Sequence, residues 1–138
     1  MAKNFTLIEL LVAIVIIGIL ASVILASLSD ARDQGIETKI KTEMDSIAKR
    51  AAIDEASSFT YETVCGSATI NQSPEITALE TSINSLASSS MICNSESTRY
   101  AISVPIGITH FCIDSTGTKK EISNALEESP PGNAFNCP

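Results

Sequence analysis

Positive charge is scarce in this sequence. Lysine and arginine number 9 together against 16 aspartate and glutamate residues, which gives a net charge of -7 and a pI near 4.6. Such a chain repels phosphate backbones and anionic lipid head groups. The adjacent pair Lys119 and Lys120 is too small to reverse this balance. We therefore predict no general nucleic-acid binding.

Groups that carry enzyme chemistry are also few. His110 is the single histidine, and it alternates with Thr109 and Phe111 in a segment with strand character, which favours a structural role. A hydrolase needs a nucleophile, a base and an orienting group within mutual reach. The sequence also lacks a nucleotide-binding loop of the GxxxxGKS or GxxxxGKT type. It predicts a protein that is not an enzyme, with no catalytic residue and no cofactor.

Metal-binding patterns are equally sparse. The four cysteines, Cys65, Cys93, Cys112 and Cys137, include no pair two to four residues apart, the spacing typical of zinc sites. The acidic turn DSTG at residues 114–117 offers oxygens, but calcium takes six to eight of them. A polar β-turn is favoured there, and we predict no metal site.

The same cysteines suit an oxidising compartment. An even number in a short chain that has the features of an exported protein predicts two disulfides. Three pairings are possible. Cys65 with Cys93 and Cys112 with Cys137 is favoured because each bond closes a loop of moderate length.

One long apolar run is present near the N-terminus. No charged residue occurs from Leu10 to Leu28, and at about 1.5 Å per residue this stretch can cross a hydrocarbon core of about 30 Å. It predicts a transmembrane helix. The alternative is a secretory signal removed near residues 21–26, but the run is longer than the apolar region of such signals and the helical pattern continues beyond it.

The continuation is amphipathic. Apolar residues recur at helical spacing, and acidic residues precede basic ones by four positions in Glu37 with Lys41 and in Asp45 with Lys49. The expected apolar stripe consists of Ile36, Ile40, Met44, Ile47 and Ala51, with Ala48, Ala52 and Ala56 beside it. We predict one helix from about Phe5 to Ser57, membrane-like in its first half and amphipathic in its second.

Glu9 is a carboxylate within the apolar segment. A charge at that depth costs about 3 kcal/mol, and such residues usually face a partner inside the membrane. A residue that merely reaches the lipid surface is the alternative. The stretch NFTLIELLVAIVIIGIL resembles the processing signal and helix of type IV prepilins and type II secretion pseudopilins, with the match running from Phe5 to about Leu20.

The resemblance implies a processing event and an assembly role. In that family a membrane aspartyl peptidase cuts before the phenylalanine and methylates the new amine, so Asn4 and Phe5 flank the expected scissile bond. Asn4 stands where the family nearly always has glycine, which leaves an uncut or poorly cut precursor open. The amine at Phe5 would pair with Glu9 of a neighbouring copy, and Phe5 and Glu9 are therefore the expected assembly residues.

The remaining sequence predicts a small head. Residues 57–73 are expected to form a loop, and a helix is expected to start at Ser73 as its N-cap. Period-two patterns predict a strand at residues 100–106, a second at 108–114 and a third at 119–122, with Pro105 at an edge or bulge. The final segment, residues 128–138, is expected to be irregular and held by its cysteine.

The predicted fold class is α+β and pilin-like, with a long N-terminal helix, its first half transmembrane, packed on a small antiparallel sheet that carries disulfides. The expected organisation is a leader at 1–4, a transmembrane and filament-core half at 5–28, an amphipathic half at 29–57 and a head at 58–138. The resemblance implies a structural subunit of a type IV pilus-like filament, with a type II pseudopilin or a monomeric membrane-anchored binding domain as alternatives.

The expected partners are other copies of the chain, a prepilin peptidase, an assembly platform with its motor, and membrane lipid. Lys3 is the only charge of the leader, and the tendency of positive charge to remain in the cytoplasm places the head outside the cytoplasmic membrane. After assembly, the filament is expected to be periplasmic or extracellular.

Overall fold

A computed structural model describes residues 5–127 and 135–138. Its chain separates into two compact units, of which one ends at Gly35 and the other begins at Ile36. The helices are α1 Leu7–Ser58, α2 Glu62–Cys65 and α3 Pro74–Leu86, and the strands are β1 Ile92–Ser95, β2 Tyr100–Ile106, β3 Thr109–Asp114 and β4 Lys119–Ile122. The predicted α+β, pilin-like fold with a long N-terminal helix, a small antiparallel sheet and disulfides is confirmed.

Helix α1 extends over 52 residues, close to the range that its sequence predicts. Leu, Ile, Ala, Lys and Glu favour a helix, and Gly18 and Gly35 are its only glycines. The helix ends at Phe59, whose φ of 58° is left-handed and whose N–H donates to the Glu55 carbonyl at 2.7 Å. A residue in the left-handed conformation commonly ends a helix.

The amphipathic half of α1 supplies one wall of the head's core. Ile40, Met44, Ile47 and Ala51 are buried, as the predicted stripe requires. They share one apolar cluster with residues of β2 and β3, namely Tyr100, Ile102, Val104, Ile106 and Ile113. Ala52 and Ala56 lie outside this cluster and are exposed, because the buried stripe is narrower than the apolar pattern.

The sheet is antiparallel with the strand order β1-β2-β3-β4. Gly107 and Ile108 join β2 to β3 in a two-residue loop, and Gly107 has the positive φ of 58° that such loops favour. Pro105 pairs with His110 of β3 but lies beyond the four β2 residues that pair with β1. Its missing N–H is therefore tolerated at an edge, as predicted.

Strand β1 is absent from the sequence prediction, which has three strands. Its residues ICNS carry little strand preference, and they are held by pairing with residues 100–103, by the bond from Cys93 to Cys65 and by the hydrogen bond from the Asn94 amide to the Glu127 carbonyl. Short α2 also replaces part of the loop expected at 57–73. Both elements depend on contacts that are distant in sequence.

Helix α3 begins where Ser73-Pro74-Glu75 predicts. The Ser73 hydroxyl, however, donates to the Glu75 carboxylate at 3.0 Å, so it does not cap a backbone N–H. Proline at the first turn and the nearby acid suit the start of the helix. Ile76 and Ile83 bury its apolar face in the core.

Two disulfides lie in the head and use all four cysteines. Cys65 bonds to Cys93, and Cys112 bonds to Cys137, which is the pairing that loop length favours. Residues 128–134 of the closing segment lie outside the described residues, whereas residues 135–138 form no helix or strand. The predicted disulfide bonding is confirmed.

The sequence predicts ion pairs within α1, but the structure also has ion pairs between α1 and β4. Asp45 pairs with Lys49 at 3.0 Å, as predicted, and also accepts a bond from Lys119. Lys41 lies 2.8 Å from Glu121, so the predicted pair with Glu37 is wrong. The reason is that β4 brings Glu121 within reach of Lys41, and a cross-element partner competes with a neighbour on the helix.

Candidate assembly site on the N-terminal helix

The first half of α1 exposes all of its large apolar side chains. Its most apolar window of 18 residues has a mean hydropathy of 3.0 and none of that window is buried inside the protein. The helix is long and apolar enough to cross a membrane. Ser22, a polar residue within it, donates its hydroxyl to the Ile19 carbonyl at 2.7 Å and is thus satisfied within the helix.

Glu9 is part of a hydrogen-bonded cap with Thr6. The Thr6 N–H and Oγ1 donate to Glu9 Oε2 at 2.9 and 2.8 Å, and the Glu9 N–H donates to Thr6 Oγ1 at 3.3 Å. Because α1 begins at Leu7, Thr6 is the N-cap and Glu9 is the third helical residue. This reciprocal arrangement is a capping box, which satisfies backbone donors that the first turn leaves free.

The cap gives Glu9 a role within one chain that the sequence prediction missed. The signal was present, since Thr6-Leu7-Ile8-Glu9 has the spacing of a capping box. Both bonds to the side chain end on Oε2, so Oε1 takes no part in the cap. The carboxylate can therefore cap its own helix and still present an oxygen to a cation.

Phe5 precedes the cap and is 81% exposed. Asn4, the other residue of the expected scissile bond, and the rest of the leader at 1–4 lie outside the described residues. The first described residues thus bring together an exposed phenylalanine, a capped helix start and one carboxylate. Their roles in processing and assembly stay predictions.

In the head, the DSTG turn uses its acid as a structural acceptor. Asp114 Oδ1 accepts bonds from the Thr116 N–H, the Thr116 hydroxyl and the Thr118 N–H, and Oδ2 accepts the Cys137 N–H at 2.9 Å. Burial acts to raise the pKa of Asp114, but these hydrogen bonds outweigh it and hold the pKa below its ordinary value. Both oxygens of the carboxylate thus accept hydrogen bonds, three on Oδ1 and one on Oδ2, and the acid holds the turn together.

The other candidates from the sequence also have structural surroundings. His110 is half-buried in β3 opposite Pro105. Lys119 and Lys120 are both exposed, and Lys119 bonds to Asp45 of α1. Within residues 5–127 and 135–138, no cluster of three or more histidine, cysteine or acidic side chains could hold a metal ion.

A family model described as the prokaryotic N-terminal methylation motif matches residues 5–25. The chain carries the signal of type IV pilins and pseudopilins. The resemblance predicted from Phe5 onward is therefore confirmed. Comparisons with curated proteins and with solved structures give no match.

The pilin-type signal occupies the apolar half of α1 and includes Phe5, Thr6 and Glu9, but none of the head. It identifies the chain as pilin-like or pseudopilin-like at its N-terminus and indicates a structural protein family. Together with the exposed apolar helix, it also indicates membrane anchoring.

Proposed function

We propose that this chain is the structural subunit of a type IV pilus-like filament. It is stored in the cytoplasmic membrane as a prepilin, cleaved between Asn4 and Phe5 by a prepilin peptidase, and assembled through its N-terminal helix. The observation that carries the proposal is Glu9, a single carboxylate in an exposed apolar helix that bears the methylation motif.

Cleavage supplies the partner that Glu9 needs. A new α-amine at Phe5 is cationic at neutral pH, and it lies four residues from Glu9 along the chain. Within one chain the carboxylate is directed to Thr6 by the cap. An amine from a neighbouring copy can reach Oε1, and this ion pair offsets the cost of two charges in lipid and fixes the axial register of the helices.

The exposed side chains of the apolar half suit either lipid or other copies of the same helix. Before assembly, lipid covers Leu7 to Leu28, and in the filament neighbouring helices replace it. The disulfides of the head favour an oxidising compartment, and Lys3 favours a cytoplasmic leader. Both support a head outside the cytoplasmic membrane. An assembly platform and its motor are separate proteins in this proposal.

A pseudopilin of a type II secretion system shares the same signal and would use Phe5 and Glu9 in the same way. A monomeric tether that carries a binding head would not need Glu9. The first experiment determines the N-terminal sequence and intact mass of the protein from its native membranes. A start at an N-methylated Phe5 supports the proposal, whereas a start at Met1 or Ala2 favours the tether.

The second experiment separates the charge of Glu9 from its capping role. Glu9→Gln keeps an acceptor for the Thr6 cap but removes the charge, and Glu9→Leu removes both. We expect both variants to lower the filament yield by on the order of 100-fold, because they leave the Phe5 amine buried without its partner, which costs about 3 kcal/mol or more. Filaments are counted by electron microscopy and normalised to membrane-bound protein.

Thr6→Ala is the matched control because it removes the cap and keeps the charge. We expect this variant to retain most of its filaments, since a lost cap costs only about 1 kcal/mol in one helix. Normal filament yield from Glu9→Gln and Glu9→Leu would contradict the proposed role of Glu9 in assembly.

A further inference from the structure

An open cavity of about 320 Å³ lies where the end of α1, the short helix α2 and the start of α3 meet. Pockets that hold small ligands have volumes of about 300 to 1,000 Å³. The residues of its walls are polar apart from one proline, and Asp54 is the only charged residue among them. Asp54 is 8% exposed. The cavity therefore has a carboxylate in its wall that is more than nine-tenths buried.

Two oxygens of the wall residues are buried without a partner. Asp54 Oδ1 accepts a bond from Arg50 Nη2 at 2.8 Å. Asp54 Oδ2 and Thr63 Oγ1, in contrast, have no hydrogen-bond partner within residues 5–127 and 135–138. Buried polar atoms of folded proteins nearly always have one. A ligand in the cavity that Asp54 and Thr63 both line would supply the missing partner.

The serine hydroxyls of the wall have already used their hydrogens. Ser57 and Ser58 donate to the Asp54 carbonyl at 2.9 and 2.7 Å. Ser73 donates to the Glu75 carboxylate at 3.0 Å. A hydroxyl has one hydrogen and two lone pairs, so each of these groups can only accept a further bond.

The amide of Gln72 is used in the same way. Its nitrogen donates to the Val64 carbonyl at 2.9 Å and to Glu80 Oε2 at 2.8 Å, which engages both hydrogens. The wall thus offers a buried carboxylate oxygen and hydroxyl lone pairs, but few hydrogens. A ligand that is rich in hydrogen-bond donors fits this wall best.

The charges around the cavity favour a cation. Residues 50–80 contain one base, Arg50, and five acids, namely Asp54, Glu55, Glu62, Glu75 and Glu80. Arg50 already serves two of these acids, since it lies 2.8 Å from Asp54 and 3.5 Å from Glu75. The charges next to this region cancel one another, namely Glu96 with Arg99, and Asp45 and Asp114 with Lys49 and Lys119. The surroundings of the cavity therefore remain negative and attract positive charge.

A lysine side chain of a partner protein meets both requirements. Its ammonium is a compact cation with three donors and no acceptor. Phe59, which directly follows Ser58 of the wall, is 85% exposed, and Ile53 on the last turns of α1 is 61% exposed. An exposed aromatic ring attracts a cation and packs against an alkyl stem. Such apolar side chains beside the cavity suit a protein surface and are of no use to a small free amine.

We propose that this cavity binds the side-chain ammonium of a lysine carried by a partner protein. The ammonium donates to Asp54 Oδ2 and Thr63 Oγ1, and the lysine stem lies towards Phe59. The same face of a second copy is equally acidic and would be repelled, so the partner presents a basic surface. This contact goes beyond the proposed filament function and does not depend on it.

Binding is tested on the full chain, labelled with ¹⁵N and held in detergent micelles. The probe is the peptide acetyl-Gly-Lys-Gly-amide, and the backbone amide signals of Thr63 and Asn71 are followed by NMR. We expect saturable shifts in the millimolar range, as suits a ligand of so few atoms. The same peptide with an acetylated lysine side chain is the control and should shift neither signal. Equal shifts from the two peptides, or none from either, would overturn the proposal.

Substitutions test the two oxygens separately. Thr63→Val removes a hydroxyl that has no partner among the described residues, so the head should stay as stable as wild type while the affinity for the lysine peptide falls about tenfold. Thr69→Val, at an exposed threonine outside the walls, is the matched control and should bind as wild type does. Asp54→Asn should abolish measurable binding. Thermal unfolding checks that each variant is folded, and wild-type affinity in either folded cavity variant would overturn the proposal.

A small amine separates the two sources of an ammonium group. n-Butylammonium carries the same cation without a peptide. We expect wild-type protein to bind the lysine peptide about threefold more tightly than n-butylammonium, and we expect Phe59→Ala to remove that difference. Equal affinity of wild-type protein for the two ligands would assign the cavity to small amines and would overturn the assignment to a partner's lysine.

Discussion

The two halves of α1 use the same residue types in opposite surroundings. Ile17, in the apolar half, is 64% exposed, whereas Ile47, in the amphipathic half, is fully buried. Both are isoleucines in one uninterrupted helix. The difference arises because the head covers only the second half, so the first half must find lipid or other copies. Whether an apolar side chain of this helix is buried therefore depends on what packs against it and not on helix formation.

The charged side chains of the two halves also differ in where their partners lie. Glu9 has Thr6, three residues away, as its partner, while Asp45 and Lys41 bond to Lys119 and Glu121 of β4. Charged groups in the amphipathic half thus find partners on β4 as well as within the helix. In the apolar half, Glu9 instead bonds to a residue within one turn of its own helix.

The largest expected effect is on the stability of the head, and it is measured by comparing substitutions at the two isoleucines. Ile47→Ala should lower the free energy of unfolding of the head by about 4 kcal/mol, because it removes a side chain from a close-packed core. Ile17→Ala should leave that free energy unchanged. Denaturant unfolding of the detergent-solubilised chain, followed by tyrosine fluorescence, measures both. Equal effects would refute the contrast between the halves.

Removal of a disulfide should lower the free energy of unfolding slightly less than Ile47→Ala does. Cys112→Ala with Cys137→Ala should destabilise the head by about 3 kcal/mol, since the bond closes a loop of 25 residues and limits the unfolded chain. Cys65→Ala with Cys93→Ala is the matched comparison, with a similar loop of 28 residues and a similar expected cost. The denaturation midpoints of the two double variants should lie close together, and a midpoint unchanged from wild type would contradict this account.

Asp114→Asn should lower the free energy of unfolding by about 2 kcal/mol at neutral pH. The reason is that the amide nitrogen of asparagine cannot accept the hydrogen bond that the corresponding carboxylate oxygen of Asp114 accepts. The pKa of Asp114 is lowered in the folded state. Its stabilising contribution is therefore present above the unfolded value of about 3.9 and lost as pH falls through the folded pKa.

Melting temperatures at pH 7, 4 and 3 measure this effect. Lysine partners also lower the pKa of Asp45 and of Glu121, so the variant should keep some acid sensitivity. The wild type should nevertheless lose more stability below pH 4 than Asp114→Asn does. Parallel curves for the two proteins would show that Asp114 is not a source of the acid sensitivity.

The smallest expected effect is a gain. Phe59→Gly should stabilise the head by about 1 kcal/mol, because Phe59 has a left-handed φ of 58° that costs an ordinary residue energy and suits glycine. The exposed ring loses little packing. Phe59→Ala, which keeps the strain, is the control. A rise in melting temperature for alanine that equals the rise for glycine would mean that ring removal, and not φ, is responsible.

Local patterns predict those elements whose residues repeat at one period. The long helix, the buried stripe from Ile40 to Ala51, the start of α3 and the β2–β3 hairpin are all foreseen in this way. The capping box of Thr6 and Glu9 is also a local pattern, and the sequence alone could have revealed it. Strand β1 could not be foreseen, because its residues have weak strand preference and are ordered by β2.

The sequence by itself determined the pilin-type signal and the apolar and amphipathic halves of α1, because each depends on residue types at fixed spacing. It indicated two disulfides without fixing their pairing. Only the tertiary structure decided which cysteines pair, that Lys41 bonds to Glu121 instead of Glu37, and that Asp114 holds its turn and the C-terminal cysteine. These features join residues distant in the chain. Their partners are set by how the sheet packs on the helix, which no local spacing records.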